Sequence, residues 1–225
     1  QAFYEESDWE DILYKICGNQ LMLDSKQQTC PEVFFVSTKV NVNPPIPKIW
    51  RNYNYPIGQR SRYPGSFRIN TKNAIRATTA APTFFTPIQW EGGLYCDGAI
   101  VANNPTAIAL QEAKALYPGI PIELVVSIGT GSFKEKTGAK NMGWDLLVNQ
   151  IIASATDSED VHGFLVDFLP SDQYYRFNPM LQESWGIDEK DKDRLEELKQ
   201  IGRDFVKDME MNEPDRFNKL MRLLS

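Results

Sequence analysis

"YCDGAIVANNP", residues 95–105, is the stretch on which the reading of this chain turns. Asp97 stands between Cys96 and Gly98, and two asparagines and a proline follow. Upstream, "QWEGGLYC" (89–96) reads as a hairpin turning at Glu91 to Gly93, with a short strand running into Asp97. Downstream, Asn104 is a good N-cap and Pro105 a good first helical residue. A helix is expected from there to about Leu116, where "YPG" stops it. An acid in a turn between a strand and a helix lies where α/β proteins commonly place their sites.

Working outward, Val33 to Val42 is a β-rich run. "NPPIP" (43–47) breaks it, a second strand is expected over 48–54, and 55–69 reads as a loop. Thr71 is positioned to cap a short helix through Ala80, whose small residues suit close packing on a sheet. Near the N-terminus, Ser7 to Glu10 reads as a capping box. Trp9, Ile12, Leu13 and Ile16 follow at helical spacing, and Gly18 closes that helix. Beyond Leu116, Ile122 to Ile128 reads as a buried central strand ending in "GTG". Two helices broken near "TDSED" are expected over 143–169, a last strand over 174–178, and charged amphipathic helices over 187–209 and 214–224. Strand–helix alternation in the middle predicts an α/β sheet covered by helices.

The chain has 225 residues, enough for one sizeable core with a helical appendage. No apolar run approaches the roughly 20 residues that cross a bilayer. Cys17, Cys30 and Cys96 are few, odd in number and far apart, which suits a reducing, intracellular setting. The net charge of −6 conceals an asymmetry. From Val33 to Trp90 there is no acid, but Lys39, Lys48, Arg51, Arg60, Arg62, Arg68, Lys72 and Arg76 are all there. Trp50, Tyr53, Tyr55, Tyr63 and Phe67 are interleaved with them. Three readings stand open: a solvated loop region with buried aromatics, a face for an anionic membrane, or a surface for single-stranded nucleic acid. The last rests on the basic stretch alone, and no nucleic-acid partner is expected.

An aspartate in an Asp-Gly turn can simply tie the loop through backbone N–H bonds. It can also serve as the base or orienter of a nucleophile. The apolar residues around Asp97 favour a working charge, because an idle one would be costly there. A serine partner would sit in G-x-S-x-G, and none of the twelve serines does. Ser127 and Ser184 have only the second glycine. Ser127 falls inside a buried strand and reads as structural; Ser184 lies in a loop and looks incidental. The single histidine, His162, sits among acids in a helical stretch and reads as a surface or capping residue. Three scattered cysteines and one histidine match no zinc spacing, and "GTG" (129–131) is too short for a phosphate loop. No metal or cofactor is expected. The residues by themselves present a poised acid without a nucleophile.

"NAIRATTAAPTFF" (73–85), "DGAIVANNP" (97–105) and "ELVVSIGTG" (123–131) together resemble the second half of a patatin-like phospholipase domain. "RNYNYP" (51–56), "SATDSEDVH" (154–162) and "YYRFNP" (174–179) are similar to the same family. The resemblance implies a three-layer α/β sandwich over 1–180, present in part, with a helical extension over 181–225. It implies a Ser–Asp dyad in which Asp97 activates the serine and later a water, with no histidine needed. Gly98, Ala99 and Asn104 would support the Asp-Gly-Ala turn. The family's serine elbow and glycine-rich oxyanion loop would precede Gln1, so this chain alone is expected to be inactive. The implied substrate is a glycerophospholipid hydrolysed at a membrane surface without calcium. The implied setting is intracellular and peripheral on the endoplasmic reticulum, mitochondrion or peroxisome. The rival expectation is a non-catalytic lipid-binding or interaction protein of the same fold.

Overall fold

The computed structural model describes residues 4–26, 30–133, 158–183 and 185–225. The helix expected within 143–157, the start of "TDSED", and Ser184 lie outside the described residues. Residues up to 120, with 158–161, form one compact unit; 121–133, with the described residues from 162 onward, form another.

The first unit is built on a five-stranded sheet of order β3-β2-β1-β5-β4. Its strands are β1 (Phe34–Lys39), β2 (Ile46–Arg51), β3 (Gly65–Ser66), β4 (Ile88–Trp90) and β5 (Gly93–Asp97). β1 pairs antiparallel with both β2 and β5, and so lies in the middle. Ser37 and Thr38 are therefore fully buried on opposite faces. Trp50 Nε1 satisfies Ser37 by donating to its Oγ at 2.9 Å. β3 is an addition to the sequence reading: two residues of the expected loop pair parallel with β2. The hairpin between β4 and β5 turns at Glu91 and Gly92, with φ of 44° and 73°. Positive φ at both central residues matches the right-handed twist of the strands they join.

Helices cover both faces of this sheet. On one face Trp50 and Tyr95 pack with Ala74 and Ala77 of α2 (Thr71–Thr78). On the other, Val36 and Ile49 pack with Ile108 of α4 (Thr106–Leu116). The small residues of α2 do permit close packing. Its N-cap is Asn70 rather than Thr71, and Asn70 uses its amide on the Asn19 carbonyl instead of on the helix. Helix α1 (Glu6–Cys17) forms without the expected capping box, since it starts one residue before Ser7. Of its four apolar positions only Leu13 is buried, while Ile12 and Ile16 are exposed. Trp9 instead anchors α1 by donating to Thr79 Oγ1 at 3.3 Å. Glu6 and Glu10 reach the buried Arg76 guanidinium at 3.7 and 3.4 Å.

In the second unit β6 (Val125–Ile128) and β8 (Tyr174–Phe177) pair parallel, as do β7 (Ser132–Phe133) and β9 (Met180–Leu181). The expectation of a fully buried central strand at 122–128 is not met among the described residues. β6 is shorter and alternates, with Val125 and Ser127 buried but Val126 and Ile128 exposed. The glycines of "GTG" make room for Asn178. A Cβ on Gly129 would stand 2.3 Å from its Oδ1, and Gly131 N donates to the same oxygen at 2.8 Å. Helix α5 (Ser158–Phe168) precedes β8, and α6 (Lys192–Asn212) and α7 (Pro214–Leu224) close the chain. α6 starts later than expected because Asp191 caps it, accepting from the backbone of Asp193 and Arg194. The molecule is mixed α/β with a helical C-terminal region, as its sequence predicts. No described helix is long and apolar enough to cross a membrane.

Candidate active site

Asp97 ends β5 directly opposite Ser37 of β1. Its backbone is tied on both sides: its N donates to Ala80 O at 3.0 Å, and its carbonyl accepts from Thr38 Oγ1 at 2.7 Å. The carboxylate Oδ1 accepts from Ala99 N at 2.8 Å. Ala99 opens the one-turn helix α3 (Ala99–Ala102), so the turn holds the side chain as well as the chain path. Burial pushes the Asp97 carboxyl above its ordinary range, with the Ala99 bond opposing this in part. A carboxylate poorly solvated in this way takes a proton more readily.

Gly98 is needed for a reason the sequence does not show. Its φ of −66° is open to any residue, so the turn does not require glycine's freedom. The requirement is proximity: a Cβ there would lie 2.1 Å from the Val36 carbonyl oxygen, which also accepts from Thr78 Oγ1. Gly98→Ala would force the strand and the turn apart. A loss of about 1–3 kcal/mol in urea melts is expected; an unchanged midpoint would refute the contact.

Asn104 is buried and braces the approach to α4 rather than standing at its cap position. Its Oδ1 accepts from Thr106 N at 3.2 Å and Thr106 Oγ1 at 2.6 Å, and its Nδ2 donates to Ser158 O at 3.1 Å. α4 itself begins at Thr106, one residue later than the sequence predicts, with Pro105 in the cap position and its carbonyl accepting from Ala109 N.

Asp97, Gly98 and Ala99 line a cleft of about 320 Å³ together with Phe34, Phe35, Val36 and Ala102. Among the described residues no serine, cysteine or histidine lines it. Its one hydroxyl residue, Thr78, is committed to Val36 O. Ser37, across from Asp97, is wholly buried and accepts from Trp50. Ser127 is buried in β6 and accepts from Arg176 Nη1 at 3.0 Å, which agrees with its structural reading. His162 Nδ1 lies 3.1 Å from the Tyr174 hydroxyl; it is neither a cap nor a surface residue but half-buried against that ring. Asp97 is thus an acid poised on an apolar cleft that, among the described residues, contains no nucleophile.

The basic stretch is divided by the fold. Trp50 and Tyr53 are core residues, and Arg51 and Arg76 are buried in ion pairs. Lys48 is half-buried over the Trp50 ring at 4.9 Å, and burial lowers its pKa. Arg60 and Arg62 remain exposed on the loop between β2 and β3, which also carries a fully exposed Ile57; Arg68, also exposed, follows β3.

Sequence reasoning missed Glu112, the best-connected buried acid of the first unit. It is 2% exposed. Its Oε2 accepts from Tyr53 OH at 2.8 Å and from Tyr55 OH, its Oε1 accepts from Ser61 Oγ, and Arg51 Nη1 lies 3.4 Å away. Burial, and then the bond to Glu112, raise both tyrosines, Tyr55 to about 12. They are therefore neutral donors at physiological pH. The signal was available: Glu112 sits four residues after Ile108, on the apolar stripe of α4.

Residues 1–110 match the family described as patatin-like phospholipase, and over that span the chain belongs to it. The whole chain aligns with calcium-independent phospholipase A2-gamma of Homo sapiens at 37% identity over 228 residues, 29% of that protein. Phospholipase A I of Arabidopsis thaliana is 33% identical over 214 residues, covering 79% of this chain and 16% of the relative. The 85/88 kDa calcium-independent phospholipase A2 of Mus musculus is 27% identical over 234 residues, 83% of this chain and 27% of the relative. The chain thus spans under a third of the length of each of these curated relatives.

Proposed function

We propose that the protein is a calcium-independent lipid acyl hydrolase acting on glycerophospholipids through a Ser–Asp dyad. Asp97 is its acid, and the serine belongs to a segment preceding Gln1. The observation that carries this reading is the Asp97 carboxylate, held by Ala99 N over an apolar cleft and made more basic by burial. The names of its relatives support the substrate class.

In this reading Oδ1 stays on Ala99 N and Oδ2 faces the serine hydroxyl. The serine oxygen attacks the ester carbonyl as its proton passes to Asp97. That proton then leaves with the lysolipid alkoxide when the ester C–O bond breaks. Asp97 next takes a proton from water, the hydroxide attacks the acyl-serine, and the serine recovers the proton as the fatty acid departs.

The test is intact mass after treatment with a fluorophosphonate serine probe. The chain 1–225 is expected to gain no adduct, whereas the polypeptide extended upstream gains one, at a serine preceding Gln1. An adduct on Ser127 or Ser184 would overturn the assignment. The rival reading, a non-catalytic lipid-binding protein, draws on the absence of a nucleophile among the described residues that line the Asp97 cleft. It requires that the extended polypeptide also stay unlabelled.

The same reading puts the protein peripherally on intracellular organelle membranes, approached through the β2–β3 loop that carries Ile57, Arg60 and Arg62, with Arg68 just beyond β3. An exposed apolar tip among cations suits an anionic surface. Reversing Arg60 and Arg62 to Glu is expected to weaken binding to anionic vesicles on the order of a hundredfold, measured by co-sedimentation. Unchanged binding would count against this approach.

A further inference from the structure

A second cleft, separate in its lining from that of Asp97, opens in the first unit between β2, β3 and the loop joining them. It measures about 290 Å³. Arg51, Arg60, Asn54, Gln59, Ser61 and Tyr63 supply its polar lining, and no carboxylate is among the described residues that line it. Two arginines and neutral donors in one concavity without an acid make a site for an anion.

The construction around Arg51 supports this more than the charge count does. Arg51 is 5% exposed. Its guanidinium occupies space that only a glycine at 65 leaves open: a Cβ there would stand 1.5 Å from Nη2. Glu112, behind the cleft, fixes Arg51, Tyr55 and Ser61 from one carboxylate. Those side chains are thus oriented before any ligand arrives, as supporting groups orient the direct contacts of a built site. Glu112 does not satisfy all of Arg51, whose buried Nε has no hydrogen-bond partner. Arg60, by contrast, is exposed and makes no ion pair with any described residue. It is free to close on a ligand from the solvent side.

We propose that this cleft binds a phosphate group, with Arg51 as its fixed wall and Arg60 as its exposed cation. The phosphate is either that of a lipid headgroup or free in solution. The site does not depend on hydrolysis at Asp97, so its test is binding alone.

Isothermal titration of the protein would use three soluble probes: dihexanoyl phosphatidic acid, inorganic phosphate and dihexanoylglycerol. Saturable binding of the phosphatidic acid, with none of the phosphate-free dihexanoylglycerol, is expected. Arg60→Gln, an exposed change that spares the core, should weaken it about tenfold or more. Arg62→Gln, which removes a neighbouring exposed charge outside the cleft lining, should leave it unchanged. Inorganic phosphate binding as tightly as the lipid would support the site with free phosphate as its ligand. No saturable binding by either phosphate probe, or an equal loss in both arginine variants, would overturn the proposal; the second result would mean diffuse charge rather than a cleft.

Discussion

Asp97→Asn is expected to abolish ester hydrolysis in the serine-containing polypeptide while making the fold more stable at neutral pH. Asparagine is nearly the same shape and keeps an oxygen for Ala99 N, but it cannot take the serine proton. Loss of a positioned general base costs about 10²–10⁴-fold in rate. The stability effect follows from burial. The folded state holds the Asp97 carboxyl above its ordinary value of 3.8, so the native protein retains this proton to higher pH than the unfolded chain does. The Asp97 contribution is therefore fully favourable below the ordinary value and is lost as pH rises through the raised one. The variant has no such dependence. Its melting temperature relative to wild type should rise between pH 4 and pH 7. A variant that hydrolyses normally, or that loses stability as pH rises, would remove Asp97 from this role.

The second large effect lies away from the cleft. Glu112→Ala strips the acceptor from Tyr53, Tyr55 and Ser61 and leaves the Arg51 charge buried beside a void. Breaking a buried pair by removing one partner costs about 3–5 kcal/mol, a large share of the 5–15 kcal/mol typical of a domain. The double change Glu112→Leu with Arg51→Met should recover much of this, since no charge is then stranded. Urea denaturation of both variants is the measurement. A single-variant loss under about 1 kcal/mol would show that water reaches the network and the pair is not truly buried.

The places where sequence reading succeeded and failed divide along a physical line. The hairpin at 90–93, the strand into Asp97 and the last helix were legible because each depends on neighbours within a few residues. The capping box at Ser7 fits the same local rules, yet α1 starts a residue earlier and is held by Trp9 on Thr79 and by Arg76 on Glu6 and Glu10. Those contacts span about seventy residues, and no local rule contains them. The basic, aromatic stretch left three readings open because the sequence does not show which of its side chains turn inward. Ile49 and Trp50 enter opposite cores, and Arg51 runs inward to Glu112.

The chain's own order of residues was enough to settle that it is mixed α/β, that an acid sits at a strand-to-helix turn, and that no serine in it occupies a G-x-S-x-G elbow. All three are matters of residue type at short spacing. Only the tertiary structure decided why position 98 must be glycine, which cations face solvent, and that Glu112 holds four side chains in place. Each of those depends on a distance between segments far apart in the chain, and such a distance exists only once the sheet and its two helical layers have packed.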